Sequence, residues 1–307
     1  MPSVQATLEY LQRLPLYDEE KPYWCFLPPH EGFDPDTQRV DNLEFEDHSN
    51  IKIRDIRELD EPVKIDDCGF EVLEHHSKFT RFDEANQVEQ YRLETEELLK
   101  ERLGAVHVKC YDHRLRKNIP HQRTEFDLND PLLREGPARG VHNGELWNIS
   151  WAAFFFESNI WCLDITYDSG PQVINRYLSD NSLEQFLKPG YRFRIINTWR
   201  TLVPTLEDRP LALCDSRTVG PEDLVAADRI IPDRVGEVYY LTHNPKHSWY
   251  WLEKQTPSEP LAFVMYDTKA GSHARFCPHV SFVNPLAPED AAPRESIETR
   301  SIVITKE

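Results

Sequence analysis

The chain has 307 residues with 7 Trp, 12 Tyr and 15 Phe, enough to bury a core, so the sequence argues against global disorder. Its 35 basic and 53 acidic side chains give a formal net charge of −18. This balance argues against a nucleic-acid partner and against an anionic membrane surface. The amino terminus shows no targeting pattern, and no two of the six cysteines form a CxxC motif. We therefore expect a cytoplasmic protein with reduced thiols.

Residues 1–85 are rich in proline and acidic side chains and predict short helices and strands, so residues 1–104 are expected to form a wrapping segment. The segment ends in one strong helix, Glu84–Leu103, in which apolar residues recur mostly every three to four positions. Gly104 follows the last apolar residue and predicts the end of this helix. A strand over Ala105–Tyr111 comes next, because its apolar residues alternate with polar ones.

From about residue 140 onward, strands dominate the pattern. A helix over Asn181–Lys188 is predicted before Pro189 and Gly190, and it is followed by a strand over Tyr191–Arg200 with alternating character. Further strands are predicted over Glu237–Thr242, Trp249–Leu252, Leu261–Tyr266, Val280–Val283 and Ile297–Thr305. The sequence lacks the β-α-β alternation and the glycine-rich loops of nucleotide-binding folds. We therefore predict one domain over residues 1–307, mainly β with flanking helices, with a double-stranded β-helix (a cupin-like jelly roll) over residues 105–307.

The carboxy-terminal strand carries the most specific polar pattern. Residues at even spacing on a strand share one face, so Arg294, Ser296 and Arg300 are expected to point the same way. An arginine fork binds a carboxylate with two hydrogen bonds, and the serine hydroxyl donates a third. With His279 nearby in sequence, this face predicts a dicarboxylate pocket. The alternative is a surface strand with exposed arginines, which the neighbouring isoleucines disfavour.

Two groups of aromatic residues either pack in the core or line an apolar cavity. They are Trp147, Trp151, Phe154 and Phe156, and then Trp249, Tyr250 and Trp251. As a set they fit a site for a largely apolar biosynthetic intermediate, such as a polyketide, a terpenoid or a peptide-derived molecule.

Several long motifs resemble one protein family. The runs GEVYYLTHNPKHSWYW, PSEPLAFVMYDTKAGSHARFCPHVSFVNP and PRESIETR are similar to those of the fungal AsaB/CmcJ-like hydroxylase/desaturase family. That family is similar to Fe(II)/2-oxoglutarate oxygenases of fungal and bacterial secondary metabolism. The resemblance implies a jelly-roll oxidoreductase that hydroxylates or desaturates a small molecule, with Fe(II) and 2-oxoglutarate as cofactors.

The resemblance also implies a metal site. The family's proximal V-H-x-D motif aligns with His142, and its distal histidine aligns with His279. An iron site of this type needs two histidines and one carboxylate. The carboxylate position is Gly144 here, and Glu145 is one residue out of register, so only a bulge would bring it in. Asp164 and Asp168 are more remote candidate donors.

For the co-substrate, the family's 2-oxoglutarate-anchoring arginine falls on Arg294 or Arg300. Asn197 and Arg200 lie in the NTWR motif of the family, and their strand is a candidate to line the same cavity.

Three interpretations of the glycine at position 144 stay open. Iron binds through His142 and His279 with water or another carboxylate, and the protein is an oxygenase. The vacant position holds a halide, as in iron halogenases with a His-x-Gly motif. Alternatively no cofactor is used, and His142 or His279 acts as a general base in a cyclase, isomerase or dehydratase, with the arginines holding an anion.

Overall fold

The computed structural model describes residues 3–25, 34, 39–118, 130–136, 142–143, 170–178, 183–231, 234–271 and 274–307. Fifteen strands lie in these ranges: β1 Ser3–Leu11, β2 Tyr23–Cys25, β3 Phe45–Asp55, β4 Phe70–Val72, β5 His107–Lys117, β6 Arg134–Glu135, β7 His142–Asn143, β8 Tyr191–Thr201, β9 Leu211–Cys214, β10 Leu224–Ile231, β11 Arg234–Leu241, β12 Trp249–Trp251, β13 Leu261–Asp267, β14 His279–Ser281 and β15 Glu295–Lys306. The α-helices are α1 Leu16–Glu19, α2 Ile65–Cys68, α3 Ala85–Leu103 and α4 Gly170–Leu178.

The strands form two sheets. The larger has the order β1-β3-β12-β9-β14-β7-β11-β10-β2, and the smaller has the order β4-β13-β8-β15-β5-β6. Most neighbours are antiparallel, including β15 with both β8 and β5. This architecture confirms the predicted mainly β, double-stranded β-helix fold. The larger sheet includes β1, β2 and β3, so the segment before residue 105 supplies strands as well as α3.

One apolar core lies between the two sheets. The smaller sheet contributes Ile195, Trp199 and Ile302, and the larger sheet contributes Leu211 and Leu213 to the same cluster. Because side chains alternate along a strand, the opposite face of the smaller sheet carries a different set of residues. That outer face packs against α3 through a second apolar cluster.

Helix α3 forms where the sequence predicts it. Glu84 and Gln87 form a capping box at its amino end, and Gly104 ends it with a φ of 60°. Val88, Tyr91 and Leu99 are buried against the outer face of the smaller sheet. The apolar residues whose spacing predicted the helix therefore form the face of α3 that packs against the smaller sheet.

Most other sequence predictions agree with the structure to within a few residues, but the strand expected over Ala105–Tyr111 begins at His107 and continues to Lys117. The strand expected over Tyr191–Arg200 ends at Thr201, and the strand expected over Ile297–Thr305 runs from Glu295 to Lys306. The helix expected over Asn181–Lys188 is a correction: its described part contains one 3-10 turn, Glu184–Phe186, before Pro189 and Gly190. None of the described helices is long and apolar enough to span a membrane.

Candidate functional site

Two histidines are paired across neighbouring strands of the larger sheet. The Cα register places His142 of β7 directly opposite His279 of β14. On its other side, His142 pairs with Tyr240 of β11. Directly opposite residues of an antiparallel pair occupy the same face of a sheet. The two histidines that the sequence singled out are thus adjacent in the fold, although 137 positions separate them along the chain.

The imidazole of His279 is buried and oriented. Its Nδ1 lies 3.1 Å from the carbonyl oxygen of Cys277, and its ring centre lies 4.6 Å from that of Phe263. Phe263 belongs to β13 of the smaller sheet and to the core between the sheets. His279 therefore faces the interior, and the carbonyl contact fixes which way its ring is turned.

The side chain of Arg294 crosses from the smaller sheet to the strand that carries His279. Its Nη1 donates to Ser281 Oγ at 3.0 Å and to the Arg209 carbonyl oxygen at 3.1 Å. Ser281 lies two residues after His279 on β14, so both share one face. The guanidinium carbon of Arg294 lies 5.7 Å from the centre of the Trp199 ring. The guanidinium and the imidazole thus border the same space between the sheets.

Arg294 Nε and Ser296 Oγ are among the buried donor groups that have no hydrogen-bond partner among the described residues, and both residues are only 1% exposed. Burial, together with the nearby Arg116, lowers the pKa of the Arg294 guanidinium to about 9. Buried donors beside an incompletely neutralised cation fit an anionic oxygen ligand, such as a carboxylate.

The residues around β15 show which of its two faces points toward the core between the sheets. Ile302 and Ile304 lie in the core between the sheets, whereas Ile297 and Val303 pack toward α3. The pairing of β15 with β8 runs from Ser296 to Lys306 without a register shift. Even-numbered residues of β15 therefore face the interior, where the sequence placed Arg294, Ser296 and Arg300.

Arg300 has a carboxylate partner at close range. Its Nη1 donates to Asp112 Oδ2 at 2.9 Å, and Arg300 is 2% exposed. Asp112 is its register partner on β5. Arg300 Nε also lies 3.9 Å from Glu298 Oε1, which accepts a hydrogen bond from Asn197 Nδ2 at 2.6 Å. Arg300 and Asn197 therefore belong to a buried polar layer beside Arg294, and the charge of Arg300 is compensated by Asp112.

Strands β5 and β6 extend this polar layer. Arg116 is the register partner of Ser296, and its Nη1 lies 3.3 Å from Glu135 Oε2. Arg114 Nη1 lies 3.2 Å from Asp112 Oδ1. Alternating charges of this kind hold several guanidinium groups in fixed positions in the interior.

Arg200 lies on the other face of the same sheet. Its Nε donates to the Tyr91 hydroxyl at 2.9 Å, and its Nη2 lies 2.8 Å from His75 Nδ1. It also donates to the carbonyl oxygens of His75 and Pro257. Tyr91 belongs to α3, so the structure does not bring Arg200 together with Arg294 and His279. Its odd spacing from Asn197 places the two on opposite faces of β8.

Several predicted residues lie outside the described ranges. They are Gly144, Glu145, Trp147, Trp151, Phe154, Phe156, Asp164 and Asp168. Of the second aromatic group, Trp249 and Trp251 belong to an apolar cluster of the larger sheet, and Tyr250 belongs to the core between the sheets. Core packing is thus the observed role of Trp249 and Trp251.

The sequence analysis missed several residues of the polar layer. Ser281, Asp112, Arg116 and Asp208 contact the arginines that it singled out or lie beside them. Ser281 could have been found from the sequence, because it lies two residues after His279 on a predicted strand and therefore shares its face. Asp112 and Asp208 carry no comparable local signal, because they contact Arg300 and Arg294 through long-range pairing.

The described residues provide a better fit for a carboxylate ligand than for a metal ion. The buried, unpartnered donors of Arg294 and Ser296 fit a carboxylate ligand. The described residues contain no group of three or more His, Cys, Asp or Glu side chains arranged to hold a metal ion. They supply His279 and the backbone position of His142, and the residues that follow Asn143 lie outside the described ranges.

This arrangement defines a class: a double-stranded β-helix protein with two histidines in register on one sheet and a buried arginine that contacts the strand of His279 from the other. A family model described as an oxidoreductase/YMDC permease-like domain matches residues 8–146 and 159–304. The chain belongs to this family, and the resemblance to the hydroxylase/desaturase proteins is confirmed.

Individual relatives agree. The hydroxylase/desaturase efuI of Hormonema carpetanum is 31% identical over 269 residues, 82% of each chain. The alpha-ketoglutarate-dependent dioxygenase phiK of a fungal species is 27% identical, over 91% of this chain and 93% of its own. A solved structure of the iron and alpha-ketoglutarate-dependent endoperoxidase NvfI superposes with a TM-score of 0.79 at 24% identity, covering 100% of this chain and 99% of its own, and shares the fold.

Proposed function

We propose that this protein is an Fe(II)/2-oxoglutarate-dependent oxygenase that hydroxylates or desaturates a small biosynthetic intermediate. The single observation that carries the proposal is the buried cation Arg294. Its Nε has no hydrogen-bond partner among the described residues, and its Nη1 donates to Ser281, which lies two strand positions from His279. The names of the relatives, a hydroxylase/desaturase and an alpha-ketoglutarate-dependent dioxygenase, support the same chemistry.

In this proposal Arg294 and Ser296 bind the distal carboxylate of 2-oxoglutarate. Arg294 Nε and Ser296 Oγ donate to the carboxylate oxygens, since both are buried donors without another partner among the described residues. Arg300 serves a different purpose, because Asp112 already neutralises it at 2.9 Å. It supports the wall of the pocket, with Asn197 holding Glu298 beside it.

His142 and His279 supply the two imidazole ligands of the iron. Their direct pairing across β7 and β14 supports this assignment, as does the Cys277 carbonyl beside His279 Nδ1, which leaves Nε2 to face the metal. When bound, Fe(II) with 2-oxoglutarate supplies the oxidising chemistry. The chain's own part is to orient the imidazoles, to hold the co-substrate and to keep water out of the interior.

The third ligand is a carboxylate from the sequence that follows Asn143. The family match leaves out residues 147–158, which indicates an insertion just after His142. Asp164 is the first aspartate in the sequence after His142, and it lies just beyond the residues that the family match leaves out. We therefore propose Asp164 as the carboxylate ligand, ahead of Glu145, which is one residue out of register.

The substrate is proposed to be largely apolar, because aromatic and aliphatic side chains make up the core between the sheets. A reducing, cytoplasmic location is proposed as well. The five described cysteines are all free, and burial raises the pKa of Cys68 and Cys110 to about 11, which keeps these thiols protonated and unreactive.

The proposal is tested by loading purified protein with Fe(II) under anaerobic conditions and then adding 2-oxoglutarate and air. Stoichiometric iron with succinate release supports an oxygenase. Product formation in EDTA under nitrogen without 2-oxoglutarate selects the metal-independent enzyme, and a halide requirement with a halogenated product selects the halogenase.

The carboxylate ligand is tested on metal binding alone. Asp164→Asn in the full chain is expected to weaken Mn(II) binding, and the matched control is Glu145→Gln. Equal affinity of Asp164→Asn and the unmodified protein would exclude Asp164 as a ligand.

A further inference from the structure

The segment Leu206–Pro210, which leads into β9, contacts Arg294 at two separate points. The first contact is made by the side chain of Asp208. Its Oδ2 accepts a hydrogen bond from the backbone N–H of Arg294 at 2.9 Å and another from Asn118 Nδ2 at 2.6 Å. The backbone N–H of Asn118 in turn donates to the Arg294 carbonyl oxygen at 2.8 Å. One carboxylate thus joins the end of β5 to the residue that precedes β15.

The second contact is made by the backbone of Arg209. Its carbonyl oxygen accepts from Arg294 Nη1 at 3.1 Å and from the Ser281 hydroxyl at 3.4 Å. Arg209 has a φ of 48°, the left-handed region that non-glycine residues rarely adopt. This conformation turns its carbonyl toward the guanidinium.

Flanking hydrogen bonds hold the segment in this conformation. The N–H of Leu206 donates to the Gln255 carbonyl oxygen at 2.9 Å, and Asn284 Nδ2 donates to the Glu207 carbonyl oxygen at 2.9 Å. The N–H of Phe282 donates to the Pro210 carbonyl oxygen at 3.2 Å. These bonds anchor the segment on both sides and hold Arg209 in its strained backbone conformation.

We propose that Asp208 and Arg209 are positioning residues for the co-substrate. Asp208 fixes the backbone from which the Arg294 side chain starts, and the Arg209 carbonyl occupies Nη1. Arg294 Nε and Ser296 Oγ, which have no hydrogen-bond partner among the described residues, then remain available to bind the carboxylate of 2-oxoglutarate. A guanidinium fixed in advance loses less conformational freedom when it binds a carboxylate. This inference rests on the proposed function, since it assigns a role in binding 2-oxoglutarate.

The first pair of variants tests the carboxylate. Asp208→Ala is expected to weaken 2-oxoglutarate binding by about tenfold, the lower end of what losing a supporting contact around a ligand group causes. Asp208→Asn keeps an oxygen that accepts from the Arg294 N–H, and it is expected to recover most of that loss. The matched control is Glu207→Ala, which removes the neighbouring carboxylate. No side-chain hydrogen bond of Glu207 occurs among the described residues, so its variant is expected to bind normally.

The second pair tests the backbone conformation. Glycine adopts a positive φ without strain, whereas a β-branched residue does so at a cost. Arg209→Gly is therefore expected to retain clearly more 2-oxoglutarate affinity than Arg209→Val. The opposite order would show that the Arg209 side chain matters, and that the direction of its carbonyl does not.

Binding is measured calorimetrically with 2-oxoglutarate and Mn(II) without oxygen, alongside the KM for 2-oxoglutarate and kcat with Fe(II). A positioning role predicts a raised KM for 2-oxoglutarate, with a smaller change in kcat. If the unmodified protein binds no 2-oxoglutarate, the proposed function fails. If it binds while Asp208→Ala binds equally well, the positioning inference is overturned and the proposed function stands. If Asp208→Ala does not fold, as judged by circular dichroism, the Arg209 pair decides.

Discussion

Replacing Arg294 with methionine separates the cost of burying this arginine from its value in binding. Methionine fills a similar elongated space without charge or donors. The change removes the hydrogen bonds to the Arg209 carbonyl oxygen and the Ser281 hydroxyl. It also removes a buried cation whose pKa is lowered to about 9 by burial.

The two contributions to stability oppose each other. Among the described residues, only Ser281 Oγ is left without a donor, because the Arg209 carbonyl oxygen keeps the hydrogen bond from the Ser281 hydroxyl. A buried acceptor without a donor costs about 1–3 kcal/mol. Removing the buried charge relieves a desolvation penalty of roughly several kcal/mol, which offsets that cost. We therefore expect Arg294→Met to change the free energy of unfolding by no more than about 2 kcal/mol. The affinity for 2-oxoglutarate behaves differently, because truncating a buried charged contact costs about 2–5 kcal/mol. That loss corresponds to a reduction of roughly 30-fold or more.

The assay is a urea titration without ligand, followed by calorimetric titration with 2-oxoglutarate and Mn(II). The matched control is Arg200→Met, an equally buried arginine on the opposite face of the smaller sheet. Arg200 bonds Tyr91, His75 and Pro257, so its loss is expected to destabilise the fold and to leave the affinity of the folded protein intact. Binding by Arg294→Met within threefold of the unmodified protein would refute the assignment of Arg294. So would an equal loss of affinity in Arg200→Met.

Three further changes have defined outcomes. Gly144→Asp is expected to raise Mn(II) affinity if the residue two positions after His142 reaches the metal, and unchanged binding in a calorimetric titration would instead favour a carboxylate beyond the insertion. Asp112→Asn leaves the Arg300 cation buried with weaker compensation and is expected to cost about 3 kcal/mol in urea unfolding, most of which Arg300→Met on the same background should restore. Stability is expected to be level between about pH 7 and 8 and to fall below about pH 6.5, because burial lowers the pKa of several histidines and the unfolded chain therefore binds protons more readily; equal urea midpoints at pH 7.5 and 5.5 would contradict this expectation. Those histidines are His75, His107, His113, His243 and His247.

Local pattern was enough to predict much of the fold. The bounds of α3 and β8 follow from residue spacing, because helix and strand periods are set by the backbone itself. The placement of Arg294, Ser296 and Arg300 on one face follows from the alternation of side chains along a strand. The short segment before Pro189 was predicted less well, since capping and stop signals do not show whether one turn or two will form.

Long-range pairing decided the rest. The sequence singled out His142 and His279, but only the register of β7 against β14 makes them neighbours. The same is true of Asp112, which compensates Arg300 across β5 and β15 from 188 positions away, whereas Arg294 Nε has no hydrogen-bond partner among the described residues. A strand's own residues determine which side chains share a face. The partner that a buried charge meets on that face depends on how distant strands align, and no local pattern encodes that alignment.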